Sequence, residues 1–261
     1  MRALALCLAL LAGPAAAQQE EVDVELLLLV DVSRSMSASE LDLQRRGYAE
    51  ALTSEPVVRA IVGGMTGRIA VAYVEWAGAG LQRIVVDWTL VEGPDELEAI
   101  ADALRAGRAY TQSRTSISGA LRFGSAYLDG NGFAGLRRVI DISGDGPNNQ
   151  GAPVTEARDA AVADGIVVNG LPLMTREPEG AAWRIDDLDV YYAECVIGGP
   201  GAFVLAVTDW PDFAAAVGRK LVLELAGRTP EAAVVPAQGA APYDCLIGER
   251  LWQQNRWWGA P

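Results

Sequence analysis

The sequence predicts an α/β fold: a doubly wound, mostly parallel central sheet with one antiparallel edge strand and helices on both faces. Three observations carry this. Strand-length apolar runs alternate with longer segments of helical period, and that alternation requires parallel crossovers. The first run, VELLLLV (24–30), is almost continuously apolar, as in a strand covered on both faces. Only one pair of strand-like segments is joined tightly enough to be a hairpin, which sets a single antiparallel edge.

The elements follow in order. After 24–30, Ser37 and Glu40 form a capping box that opens a helix with Leu41, Tyr48 and Leu52 on one face. Pro56 interrupts it, and Val57 to Ile61 add another turn. GRIAVAYVEWA (67–77) and RIVVDWTL (83–90) read as the hairpin, parted by a Gly-rich GAG. PDELEAIADALRAG (94–107) is a helix with an early proline, acids in its first turn and a glycine past its end. TSISGALRFGSAYL (115–128) is the next, with Ile117, Leu121 and Leu128 on one stripe. LRRVIDIS (136–143) is a strand running into the loop GDGPNNQG. A helix (154–165), a strand (165–173), a strand (203–210) and a final helix (211–227) complete the domain, which spans 22–227. Residues 228–242 are Pro/Ala-rich and read as a linker. The tail 243–261 holds three of the seven tryptophans, and Cys245 is expected to pin it back onto the domain.

Composition narrows the function. Half the residues are hydrophobic (51%), enough for a sizeable core. The N-terminus has one cation, Arg2, then an apolar run, then Ala15-Ala16-Ala17: the layout of a signal peptide, residues 1–17, cleaved after Ala17. No later run is long enough to cross a membrane. The expected product is exported, periplasmic or secreted. Removing residues 1–17 takes away one cation and no acid, which moves the net charge from −13 to −14. Such acidity argues against nucleic acid as a partner. Cys195 and Cys245 then remain, and in an exported chain the pair reads as a disulfide closing a loop of about 50 residues, stabilising by ~3–4 kcal/mol. The alternative is two separate buried thiols.

The chain contains no histidine. That excludes Ser-His-Asp and Cys-His nucleophile systems and every histidine metal ligand. A metal here must be held by oxygen, which favours magnesium, manganese or calcium.

Oxygen ligands are in place for one. In an open α/β sheet, ligands bind beyond the C-terminal strand ends. Three segments deliver oxygen there: Asp31, Ser33 and Ser35 after the first strand, Thr115 at a helix start, and Asp145 after strand 136–143. Alternate positions of extended chain point the same way, so the first three can converge. Each has a plainer reading as cap or turn residue, and Ser37 is read as a cap alone. Asp141, inside a strand expected to be central, needs an arginine partner or supports the metal site from behind. Asn148 and Asn149 either contact a ligand or simply fill the loop.

DVSRS, then SRTSISGAL, then VIDISGDG, in that order, resemble the von Willebrand factor type A (VWA) domain over residues 22–227. The resemblance implies a Rossmann-like fold with a metal-ion-dependent adhesion site formed by Asp31, Ser33, Ser35, Thr115 and Asp145. It also implies one divalent cation, most often Mg²⁺, completed by a Glu or Asp of a protein partner. The CVIGGPG stretch at Cys195 is similar to a bacterial exported branch of the family with no assigned function. Departures are the cysteine pair, the tryptophan tail, and Gly144 where many relatives carry threonine. Family members can couple metal occupancy to a shift of the last helix, here 211–227, which the cysteine bridge would restrain. The leading expectation is a binding module, not an enzyme. The alternatives are a Mg²⁺-dependent hydrolase, which lacks an obvious general base here, and a domain whose metal only holds loops together.

Overall fold

A computed structural model describes residues 19–108, 110–175, 183–227 and 242–257. The signal segment 1–17 and all but the last residue of the linker 228–242 lie outside them. The elements are β1 (Glu20–Asp31), α1 (Ala38–Leu52), α2 (Glu55–Val62), β2 (Ile69–Trp76), β3 (Gln82–Val91), α3 (Pro94–Ala106), α4 (Ile117–Leu128), β4 (Phe133–Gly144), α5 (Val154–Ala163), β5 (Ile166–Pro172), α6 (Leu188–Tyr191), α7 (Phe213–Leu225) and α8 (Ile247–Trp257). A single π-helical turn, Tyr192–Val196, continues α6.

The five-stranded sheet has the order β3-β2-β1-β4-β5. β1 runs parallel to both β2 and β4, β4 runs parallel to β5, and only β2 and β3 are antiparallel. From β1 the chain builds outward in both directions, so the switch in strand order falls at β1, beside β4. Period two explains the apolar run of β1. Leu26, Leu28 and Val30 pack with α1, α2, α3 and α7 on one face. Leu27 and Leu29 pack with α4, α5 and residues 188–196 on the other. Each fully buried leucine contributes roughly 1.5–3 kcal/mol, so this strand is the spine of the domain.

Local signals hold at several helix ends. Glu40 N donates to Ser37 Oγ at 3.2 Å and Ser37 N donates to Glu40 Oε2 at 2.7 Å, closing the capping box. Pro56 sits in the first turn of α2, where its missing N–H leaves no bond unmade.

The segment 203–210 is not a strand. It runs parallel to β5 but touches it only as isolated bridges, Gly170 with Val204 and Leu173 with Val207. Gly170 N donates to Phe203 O and Leu205 N donates back to Gly170 O; Val207 N then donates to Pro172 O and Met174 N to Val207 O. The next donor after Gly170 on that edge would be residue 172, and proline has no N–H. The ladder breaks there. The tail, read from sequence only as a tethered segment, contains the helix α8.

Candidate metal centre

Asp31 ends β1 at the switch point. Its backbone is fixed by Gln44 of α1, whose Nε2 donates to Asp31 O at 3.0 Å. The chain then turns tightly, and Ser33 N donates to Asp31 Oδ1 at 2.7 Å. Ser33 Oγ donates to Asp31 Oδ2 at 3.1 Å and lies 2.9 Å from Ser35 Oγ. Ser35 Oγ in turn donates to Asp145 Oδ1 at 2.7 Å, across a separation of 110 residues. A continuous run of oxygens, with contacts of 2.7–3.1 Å, therefore links the two carboxylates through the two serines.

Asp145 follows β4, one residue after Gly144. A Cβ on residue 144 would lie 3.0 Å from Asp31 Oδ2 and 2.9 Å from Tyr192 Oη. Threonine does not fit there without moving one of these groups, which accounts for the departure at Gly144.

Thr115 does not cap α4. That role belongs to Ser116, whose Oγ accepts from Gly119 N at 3.1 Å. Thr115 is instead held by Asn149: Thr115 N donates to Asn149 Oδ1 at 3.0 Å, and Asn149 N donates to Thr115 O at 2.9 Å. Asn148 is fully buried and joins the same loop to its surroundings. Its Oδ1 accepts from Ser118 N at 3.0 Å and its N donates to Tyr191 Oη at 3.1 Å. Both asparagines thus hold loops together; Asn149 also borders the pocket described below.

Asp141 pairs with a lysine rather than an arginine. Lys220 Nζ of α7 is 2.6 Å from Asp141 Oδ1 and 2.5 Å from Glu224 Oε1, and all three side chains are buried. Strand position flagged Asp141 as needing a cation, but a lone lysine on an amphipathic helix carries no sequence mark of being buried.

Ser33, Ser35 and Thr115 line a pocket of about 260 Å³, flanked by Arg34 and Arg114. Behind it the electrostatics are adverse. Burial, then repulsion from Asp145, pushes the Asp31 carboxyl well above the usual range, against the hydrogen bonds from Ser33. Burial likewise lifts Asp145 to about 6, opposed by the bond from Ser35. Asp145 Oδ2 is buried and accepts no hydrogen bond from the described residues. Two desolvated carboxylates, an unused carboxylate oxygen and neighbouring hydroxyls form a donor set that a hard divalent cation fits. Among the described residues no three of Asp, Glu, Cys and His gather into a metal-binding group. A cation here would depend on hydroxyls for its remaining protein ligands.

The fold recurs in solved structures. Proximal thread matrix protein 1 from the mussel byssus, in a form with a zinc-occupied MIDAS motif, matches at 16% identity with a TM-score of 0.54, covering 80% of this chain and 49% of that one. The pilus adhesin SpaC from Lactobacillus rhamnosus GG, in an open conformation, matches at 16% identity with a TM-score of 0.56 over 80% and 31%. A von Willebrand factor type A protein from Catenulispora acidiphila matches at 13% identity with a TM-score of 0.53 over 78% and 43%. The chain spans less than half the length of each of these. At such identities they establish the fold alone, and that fold is the VWA fold. No curated protein sequence matches. Residues 21–229 match the family model described as "Protein of unknown function (DUF1194)", and the chain belongs to that family.

Proposed function

We propose that this protein is an exported, metal-dependent protein-interaction module. The observation that carries the reading is the convergence of the Asp31, Ser33, Ser35 and Asp145 oxygens into one run of close contacts beside Thr115, at the switch point of the sheet. The zinc-occupied MIDAS motif of the mussel protein supports it by analogy. Asp31, Ser33, Ser35, Thr115 and Asp145 would hold one divalent cation, Mg²⁺ above Mn²⁺ or Ca²⁺. When bound, the ion supplies an electrophilic centre for an outside oxygen ligand.

The chain's own residues determine what that ligand is. Three of the five are neutral hydroxyls, so the protein provides only two negative charges. Those two charges balance a divalent ion, so what the five ligands leave open is a coordination position, and a carboxylate from a Glu or Asp of a partner protein takes it. Arg34, exposed on the pocket rim, adds local positive potential in an otherwise acidic chain. Asn149 and Gln44 keep the loops in register. The disulfide agrees with an oxidising compartment, and among the described residues no helix is long and apolar enough to cross a membrane.

The test is titration calorimetry of the metal-stripped protein with Mg²⁺, Mn²⁺ and Ca²⁺, beside Asp31→Asn. The variant keeps an oxygen acceptor for Ser33 N and removes the charge. One saturable site in the parent, weakened at least ~100-fold in the variant, is expected. An acidic peptide should then bind only without EDTA. A variant that binds the ion as the parent does would sink the reading.

A further inference from the structure

The C-terminal helix α8 reaches both outer loops of the candidate metal centre. It is tied to the domain by the Cys195–Cys245 disulfide, two residues before its first turn, with a Cα–Cα distance of 5.5 Å. From that tether it makes two separate contacts. At the loop carrying Asp145, Asn148 Nδ2 donates to Glu249 Oε1 at 2.7 Å. The packing beneath is close: a Cβ at Gly248 would lie 2.1 Å from Asn148 O, so only glycine permits it. At the loop carrying Thr115, the Arg114 guanidinium lies 3.2 Å from the centre of the Trp252 ring. The same ring stacks on Trp183, with centroids 4.9 Å apart and planes at 25°. Trp183 and Trp252 form a wall of the 260 Å³ pocket beside Ser33, Ser35 and Thr115.

Arg114 is also the only non-glycine among the described residues with a positive φ, at 79°. This backbone is unfavourable for a side chain with a Cβ and persists where surrounding contacts fix it. Trp252 supplies such a contact, one residue before Thr115. Glu249 supplies the other, through Asn148, three residues after Asp145.

We propose that α8 is a bracket for the metal centre: Glu249 and Trp252 are positioning residues that set the Asp145 and Thr115 loops at the separation a cation needs, and the disulfide keeps the bracket seated. The inference rests on the metal-binding reading. It adds that affinity for the ion is set partly from the tail, outside the VWA core, and that it depends on the oxidation state of one cysteine pair. Residues that orient ligands from behind change metal affinity by about 10–100-fold when removed. The stacked cation and the charge-assisted hydrogen bond are contacts of that kind.

The test uses Mg²⁺ alone as the probe. Its dissociation constant is measured for the oxidised protein, the reduced protein, Glu249→Ala, Glu249→Gln, Trp252→Ala and Asp31→Asn. Thermal unfolding of each metal-free form is recorded alongside. Expected are losses of about 10-fold or more in affinity for Glu249→Ala, Trp252→Ala and the reduced protein. Glu249→Gln, which keeps an oxygen for Asn148 Nδ2, should bind within a few-fold of the parent. Should reduction unfold the protein, the Glu249 pair still decides the matter. Ala and Gln variants that bind Mg²⁺ as the parent does, while Asp31→Asn does not, overturn the bracket and leave the metal site standing. A parent that binds no ion overturns both. Lowered thermal stability with unchanged affinity would make α8 packing only, and would also overturn the proposal.

Discussion

Lys220 is a charged residue with no exposed surface. It sits wholly inside the domain between Asp141 of β4 and Glu224 one turn further along α7, with Phe203 beneath its ammonium. Two carboxylates share one cation, so the cluster carries excess negative charge where desolvation is severe. Burial, then repulsion from Asp141, lifts Glu224 to about 7 from an ordinary 4.5. Because the folded value is raised, the favourable contribution of this group is complete below about 4.5 and is lost as pH rises through about 7. Replacing Lys220 with methionine leaves both acids unpaired. The variant should lose about 3–5 kcal/mol at about pH 8. At about pH 5 the loss should be smaller, because protonation relieves the uncompensated charge. Urea unfolding at the two pH values checks this, and an equal loss at both would show that packing rather than charge is responsible. Asp141 was conspicuous in the sequence because a strand with apolar neighbours on either side exposed the anomaly. Its partner was not, because helical period alone does not tell a buried lysine from a solvated one.

At the scale of elements, legibility followed how local the determinants are. The Ser37–Glu40 box and the alternating faces of β1 depend on neighbours in sequence, and both appear as read. The segment 203–210 failed because its pairing depends on a donor absent from another element, at Pro172. The helix in the tail was missed because its seat is made by loops more than a hundred residues away. Within the candidate site, the D-x-S-x-S spacing singled out Asp31, Ser33 and Ser35, which the fold brings into contact with one another. The loop-fixing roles of Asn148 and Asn149 emerge only when the strands are set side by side. The α1–α7 contact shows how narrow such tertiary tolerances are. A Cβ at Gly47 would lie 2.3 Å from the Phe213 ring, which is itself buried against Tyr48 at a centroid distance of 5.6 Å. Gly47→Ala gains helix propensity of about 1 kcal/mol but must push α7 outward, and overpacking costs about 1–3 kcal/mol. Net destabilisation, or at best neutrality, is expected in chemical unfolding. A clearly stabilised variant would mean that α7 has room to move away from α1, and so that this contact does not fix its position.

For the molecule as a whole, the proposed ion and the fold are thermodynamically linked. The chain carries a net charge of −13, and two of its acids, Asp31 and Asp145, are buried side by side, where attraction from Arg184 offsets only part of the burial penalty at Asp145. Such a site opposes folding until positive charge arrives, since the unfolded chain would leave both carboxylates hydrated. A ligand that binds only the folded form stabilises by RT ln(1 + [L]/Kd), about 2.7 kcal/mol at a hundredfold excess over Kd. With a slope of about 2–4 °C per kcal/mol for a domain of this size, Mg²⁺ should raise Tm by about 5–10 °C. Asp31→Asn should behave oppositely in each condition. Without metal it removes a buried like charge and should match or exceed the parent in Tm; with Mg²⁺ it should gain almost nothing. Scanning calorimetry of both proteins with and without Mg²⁺ yields the four values. An increase of equal size in parent and variant would mean that the ion acts by screening the acidic surface, and the Asp31–Ser35 segment would then be a turn rather than a metal site.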